Sequence, residues 1–353
     1  MHGCEPTRPS RMPPSPRQRP QSTAGRPSRG QRSGRRLPLP SGRQLLVAAL
    51  AALGVVGGTT LLDLVWPRFD QGSAESGRSL HDLAKPPNRA VTVLLIGVDA
   101  DQLNAASNKA APAGPANADT LLLLRVNPSG PLQVLQVPVN LAVQLPGQQR
   151  PQALAALYRS GGPALLADAV RDLTRLPPGK PDRYVVMGRG SLRALVDELG
   201  LVEVSPGRTM RYRDKSQDLT IDLQSGLQRL DGKQLEHLVR WRDPENPLDS
   251  RLANQEEVAR GLQRELTLIQ PQLDLGALVA RMQGKVETNL SRTETLGLLV
   301  SALEPDRELL FTTLPLEPPR PRSEGKPGPS SPLRERVANL PDPFWPEPTG
   351  TAP

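Results

Sequence analysis

Between Leu45 and Leu62 the chain runs for eighteen residues without a charge, LLVAALAALGVVGGTTLL. A run of that length can cross a bilayer as a helix and exceeds the apolar core of most signal peptides. It divides the chain into unlike parts. Residues 1–43 hold ten Arg, no Lys and one acid, Glu5, a balance of +9 against +8 for the whole chain. Everything beyond residue 43 is therefore close to neutral, and the basic character belongs to the tail. That tail is rich in Pro, Ser and Gly and lacks the large apolar residues that bury a core, so it is expected to be disordered. With Arg32, Arg35, Arg36 and Arg43 ahead of the apolar run, the positive-inside rule puts the tail in the cytoplasm. The rest of the chain is then extracytoplasmic, held at the inner membrane by a single pass. A buried core helix is the competing reading of 45–62; the arginines before it and the linker after it favour the membrane.

The expected layout is a disordered basic cytoplasmic tail over 1–43, a transmembrane helix over 44–66 and a linker over 67–89. A folded domain over 90–316 and a disordered Pro-rich tail over 317–353 complete it. The lone cysteine, Cys4, lies in the first tail, so the folded domain rests on an ordinary core without disulfides. The three histidines are His2, His81 and His237. That count excludes a Cys/His zinc site and argues against a histidine-based nucleophile system, for which only His237 is available. The near-neutral domain and the lack of a basic recognition helix argue against nucleic acid as a partner.

Val91–Val98, VTVLLIGV, is a continuous apolar run that reads as a buried strand ending at Asp99. Thr120–Val126 and Leu132–Val137 read as a hairpin around Asn127-Pro128-Ser129-Gly130. Helices are expected over Pro163–Thr174, Ser191–Leu199, Gly232–Val239, Ser250–Ile269, Leu275–Met282 and Thr293–Leu303, with further strands at Arg183–Met187, Leu201–Val204, Leu219–Leu223 and Leu309–Leu314. Strands alternate with helices but a hairpin is present. The fold class is therefore α/β, a mixed central β-sheet flanked by helices, preceded by one transmembrane helix.

The stretch from Leu230 to Gln255, LDGKQLEHLVRWRDPENPLDSRLANQ, carries the chemistry. An extended Arg240-Trp241-Arg242 would project both guanidiniums to one side. Arg251 and Gln255, four apart on a helix, continue the apolar stripe of Val258, Leu262, Leu266 and Ile269. A guanidinium on a core-facing line calls for an anionic partner, and its planar fork suits phosphate. A solvated basic face is the competing reading. Asp99 and Asp119 stand at neighbouring strand ends, where α/β sheets place ligands. As a pair they suit Mg²⁺ held jointly with substrate phosphates; singly, each would only cap a turn.

These residues resemble the LytR-CpsA-Psr (LCP) family. The resemblance rests on LLIGVD (Leu94–Asp99), ADT (Ala118–Thr120), Tyr158 with Gly161-Gly162, LVDELGLVEV (Leu195–Val204), MRYRD (Met210–Asp214), LDGKQ…VRWR…DSRLANQ and ETNLS (Glu287–Ser291). It covers roughly residues 90–316. It implies a phosphotransferase of the cell envelope that moves a glycopolymer from a polyprenyl-pyrophosphate carrier to peptidoglycan. By position, Asp99 and Asp119 would bind Mg²⁺. Arg240, Arg242 and Arg251 would grip the pyrophosphate and Gln255 would hydrogen-bond it, with the isoprenoid in an apolar tunnel under the sheet. The chain departs from the pattern where the family has arginines, at Asn117 and Val139. It also has Asn140 for an aspartate, Asn254 for an arginine, and Ala153 and Ala155 for a Lys and an Asn. Two further readings stand beside transfer: a non-catalytic domain that binds polyprenyl-phosphate lipid or envelope polymer, and a transcription regulator.

Overall fold

The computed structural model describes residues 85–103, 105, 115–215, 217–318 and 333–338. The expected cytoplasmic tail, transmembrane helix and most of the linker lie outside these residues. Among the described residues no helix is long and apolar enough to cross a membrane.

The first three strands follow the apolar runs. β1 (Val91–Val98), β2 (Ala118–Val126) and β3 (Leu132–Gln136) form an antiparallel meander. Two short strands, β4 (Ala142–Val143) and β5 (Gln152–Ala153), pair with each other and lead into α1 (Leu154–Thr174). β6 (Arg183–Met187) then joins β1 in parallel. After α2 (Arg189–Leu199) come β7 (Val202–Val204), β8 (Met210–Asp214), β9 (Leu219–Leu223) and β10 (Gln228–Leu230). α3 (Gly232–Arg240), α4 (Pro247–Ile269) and α5 (Leu275–Met282) follow, then β11 (Val286–Thr288), α6 (Arg292–Ala302) and β12 (Leu309–Thr313). The central sheet has six strands in the order β11-β6-β1-β2-β3-β12, mixing parallel and antiparallel pairs. The expected mixed sheet flanked by helices is what forms.

Side-chain alternation assigns the two faces. Leu94, Ile96, Leu121, Leu123 and Leu135 point to one side and pack on Leu154, Leu157, Leu166 and Val170 of α1. Leu122, Val126, Leu132 and Val134 point to the other, toward Ala259 of α4 and Leu298 of α6. A second core joins α2, α3 and α4 to the small strands through Val202, Val204, Ile221, Leu235, Leu238, Trp241 and Val258.

The range given for α1 joins two helical pieces across non-helical Gly161 and Gly162, so the helix expected over Pro163–Thr174 forms, and a further piece that buries Leu154 and Leu157 against the sheet precedes it. Pro163 sits just after a kink at Gly161-Gly162, where Gly162 takes φ 63°, a conformation that glycine adopts without strain. The disordered tail expected over 317–353 needs a correction at 333–338, which return to the domain. Arg334 N–H donates to the Asn140 carbonyl (3.0 Å), Glu317 N–H to the Glu335 carbonyl (2.8 Å), and Arg336 Nη1 to the Leu173 carbonyl (2.6 Å). Hydrogen bonds to main-chain carbonyls hold this segment, so a reading based on apolar content passes over it.

Asp182 ties the start of β6 to β1. Its Oδ2 accepts from Thr92 N–H (2.8 Å), Thr92 Oγ1 (2.8 Å) and Lys180 Nζ (2.6 Å), and its Oδ1 from Arg89 Nη1 (3.0 Å). Burial alone would raise its pKa, but these donors hold the carboxyl well below the ordinary carboxylate range. A depressed folded pKa contributes stability that is present above the unfolded value and is lost as pH falls. Asp182→Asn should therefore cost about 1–3 kcal/mol at pH 7 and less near pH 2. Urea unfolding at both pH values checks this; an equal deficit at the two would overturn it.

Candidate functional site

The residues singled out from the sequence converge at the ends of β1 and β2. A cleft of about 500 Å³ is lined by Asp99, Asn117, Asp119, Val139, Ala155, Arg189, Tyr212, Gln217, Arg240, Trp241 and Arg242. A second cavity, about 340 Å³ and apolar, lies on the opposite sheet face, between Leu95, Leu122, Leu124 and Val134 and the residues Val258, Ala259, Leu262 and Leu299 of α4 and α6. Asp119, Arg189 and Arg240 line both spaces. A polar chamber therefore adjoins an apolar one across a neck of charged side chains.

Arg251 and Gln255 are buried on the core-facing side of α4, 6% and 5% exposed. Arg251 Nη2 donates to the Asp119 carboxylate (2.6 Å) and to the Asp119 carbonyl (2.5 Å). Gln255 Nε2 donates to the same carbonyl (3.2 Å) and to Thr120 Oγ1 (2.8 Å), and Gln136 Nε2 holds Gln255 Oε1 at 3.0 Å. The anion expected for Arg251 is thus found inside the protein, at Asp119. Burial would raise the Asp119 pKa, but Arg251, with Arg242 and Arg240 beyond it, holds the carboxyl below its ordinary value. Asp99 behaves oppositely. Burial pushes its carboxyl up and the neighbouring Asp119 charge adds to this, partly offset by the Asn117 N–H that donates to its Oδ1 at 2.9 Å.

The expectation of an extended Arg-Trp-Arg run is corrected at its first residue. Arg240 closes α3, and the extended backbone begins only at Trp241. The helix reaches that far because Arg240 Nη1 pairs with Glu236 one turn back (3.1 Å), while its Nη2 donates to Gln217 (2.6 Å). Trp241 is buried in the second core. Arg242 is half exposed, 3.9 Å from Asp119. Both arginines still line one cleft, reached from a helix end and an extended residue.

Asp99 and Asp119 both line the cleft, and among the described residues no group of three or more His, Cys, Asp or Glu side chains could hold a metal without other ligands. Such a pair fits Mg²⁺ only when phosphate oxygens and water complete the coordination. His237, the one available histidine, does not line the cleft.

Sequence reading missed Arg189 and Glu236. Glu236 is 4% exposed and receives Arg189 (2.9 Å), Arg193 and Arg240 (3.1 Å). It was illegible because Arg189 and Arg193 come from another helix. Arg189 carried one hint: an arginine at the start of a helix opposes the helix dipole. Arg159, whose Nε and Nη2 are buried without a hydrogen-bond partner, adds positive charge near Asp99.

A model of the LytR_cpsA_psr family matches residues 70–324. The chain belongs to that family. Over 129 residues it is 33% identical to the probable cell wall biosynthesis protein LcpB of Corynebacterium glutamicum, covering 36% of this chain and 29% of that protein. Over 206 residues it is 26% identical to TagU of Enterococcus faecalis, a polyisoprenyl-teichoic acid–peptidoglycan teichoic acid transferase, covering 57% of this chain and 61% of TagU. The matched stretch therefore spans less than two thirds of either relative. The LytR-Csp2A-Psr enzyme from Actinomyces oris superimposes with a TM-score of 0.53 at 18% identity, over 72% of this chain and 90% of that one, a likeness of fold. Asn117, Val139 and Ala155 line the cleft without charge.

Proposed function

We propose that this chain is a membrane-anchored transferase of the cell envelope. It would take a glycopolymer from a polyprenyl-pyrophosphate carrier and attach it to peptidoglycan through a phosphodiester. The observation that carries this reading is the pairing of the two chambers. A guanidinium-rich cleft suits a diphosphate, and the apolar cavity adjoining it at Asp119, Arg189 and Arg240 suits a long hydrocarbon.

In this reading Arg240 and Arg242 grip the diphosphate, and Arg251 and Gln255 fix Asp119 at the neck. An acceptor hydroxyl forms the new O–P bond as the bond to the polyprenyl phosphate breaks. The arginines stabilise the charge that passes to the departing phosphate. Asp99 and Asp119 would hold Mg²⁺, which would neutralise phosphate charge as a Lewis acid. The apolar run 45–62 would anchor the chain at the inner membrane, with the domain on the side of the cell wall. The uncharged Asn117, Val139 and Ala155 favour the second reading, a domain that binds the lipid without transfer.

The test uses the full chain in nanodiscs with Mg²⁺, a glycan-linked polyprenyl pyrophosphate and peptidoglycan fragments, following release of polyprenyl phosphate. Turnover lost in Asp119→Ala supports transfer. Binding without turnover supports the second reading, and neither binding nor turnover sinks both. Ala259→Phe provides a separate check on the cavity. Each buried methylene is worth about 0.8 kcal/mol, so displacing two or three should weaken binding of geranylgeranyl pyrophosphate roughly 10- to 60-fold. Binding of inorganic pyrophosphate should not change. If both ligands bind the variant as they bind the wild type, the hydrocarbon does not occupy this cavity.

A further inference from the structure

The segment Gly188-Arg189-Gly190 is pressed against the turn that follows β1. A Cβ at residue 188 would stand 3.0 Å from the carbonyl oxygens of Ala100 and Asp101, and one at 190 would stand 2.7 Å from that of Asp101. Only glycine on both sides of Arg189 allows so close an approach. Arg189 N–H then donates to the Ala100 carbonyl (2.9 Å) and Gly190 N–H to the Asp101 carbonyl (3.0 Å). The helix terminus is therefore already engaged by protein carbonyls, and its main chain is not what faces the cleft.

The side chain is fixed as firmly as the main chain. Its Nε donates to the Asp99 carbonyl (3.0 Å) and its Nη1 to Glu236 (2.9 Å). Its Nη2 has no protein partner among the described residues, and Arg189 lines both the cleft and the apolar cavity. A helix start is an unfavourable place for a cation, since the dipole there is positive. Here Glu236 and the Asp99 main chain offset that cost and hold one guanidinium edge at the neck.

We propose that Arg189 is a further diphosphate-gripping residue of this site, and that Glu236 is the positioning residue that holds it there beside Arg240. The inference rests on the function proposed above, since it takes a lipid diphosphate as the ligand. It also identifies a source of positive charge in a cleft whose Asn117, Val139 and Ala155 supply none.

The experiment measures binding of geranylgeranyl pyrophosphate and of uncharged geranylgeraniol to the full chain in nanodiscs, for wild type, Arg189→Gln, Arg240→Gln, Glu236→Gln and the Arg189→Gln/Glu236→Gln pair. A lost charged hydrogen bond is worth roughly tenfold or more. Arg189→Gln should weaken the diphosphate lipid by at least that factor and flatten its salt dependence, with the alcohol unaffected. The Arg189→Gln penalty should shrink in the Glu236→Gln background. Equal losses for diphosphate and alcohol would mean a purely structural role and overturn the proposal. Wild-type affinity in Arg189→Gln beside a defect in Arg240→Gln would also overturn it, while leaving the transferase reading intact. An undiminished penalty beside Glu236→Gln would remove the positioning role. A wild type that fails to prefer the diphosphate over the alcohol would sink both this proposal and the reading beneath it.

Discussion

Replacing Arg251 with methionine should lower turnover about 10²- to 10³-fold. Methionine keeps much of the buried volume, so packing around α4 changes little. What disappears is the guanidinium that holds both the carboxylate and the carbonyl of Asp119. Asp119 is the residue through which the polar cleft and the apolar cavity touch, together with Arg189 and Arg240. Without Arg251 its carboxylate is free to turn, and its pKa rises from the depressed value that Arg251 maintains. The sign of the pH effect follows. In the wild type Asp119 stays ionised well into the acid range. In Arg251→Met it takes up a proton at higher pH, so residual turnover should fall earlier as the solution is acidified. Gln255→Leu, which removes a neutral donor to the same carbonyl along with its bonds to Thr120 and Gln136, should cost less, about tenfold. Release of polyprenyl phosphate measured from pH 5 to pH 8 checks both variants against the wild type. Turnover in Arg251→Met within threefold of wild type would mean that the Asp119 pair is structural and outside the reaction.

The contrast between Arg251 and Arg189 explains what could be read in the sequence. Arg251 and Gln255 were legible because they interrupt a helical apolar stripe, and both the stripe and its interruption lie within one helix. The same holds for β1, β2 and β3, whose apolar runs and turn are local. Asp99 was legible because it follows directly on a buried strand. Arg189 and Glu236 are different. Arg189 meets the Asp99 carbonyl across 90 residues and Glu236 across 47, so neither residue declares its role to its neighbours in sequence. Glu236 sits one turn before Arg240 on α3, which locally reads as an ordinary surface pair. Tertiary packing turns that pair inward, where Arg189 and Arg193 of α2 join it. The same packing carries α3 on to Arg240, against the extended Arg-Trp-Arg run expected from alternation. The strands β4, β5, β8, β10 and β11 were missed for other reasons. Four of them are two or three residues long, too short for a period to register, and in β8 only Met210 is buried.

Glu236→Ala should destabilise the domain by about 3–5 kcal/mol, the cost of removing one partner from a buried ion cluster. Glu236 is nearly inaccessible, and its two oxygens are shared by Arg189, Arg193 and Arg240. Truncation leaves three guanidiniums facing one another with their common counter-charge gone. Other partners relieve part of this: Arg193 retains the Asp101 carboxylate and Arg240 retains the neutral Gln217 amide oxygen. Arg189 retains the Asp99 carbonyl and the charge of the Asp99 carboxylate nearby. For a domain of this size the loss corresponds to a fall in melting temperature of roughly 6–20 °C. Burial alone would raise the Glu236 pKa, but Arg193 and Arg189 hold the carboxyl below its ordinary value. Its contribution is therefore complete above the unfolded glutamate pKa and is lost as pH falls through the lower folded one. The deficit of Glu236→Ala should accordingly be full at pH 7 and shrink on acidification. Asp222→Ala is the matched comparison, because the Arg211–Asp222 pair is exposed, with an N–O separation of 3.7 Å; its effect should stay within about 0.5 kcal/mol. Thermal unfolding of both variants at pH 7 decides the point. A fall of less than about 3 °C for Glu236→Ala would show that the three arginines are solvated in the native state, and that the cluster does not hold the cleft together.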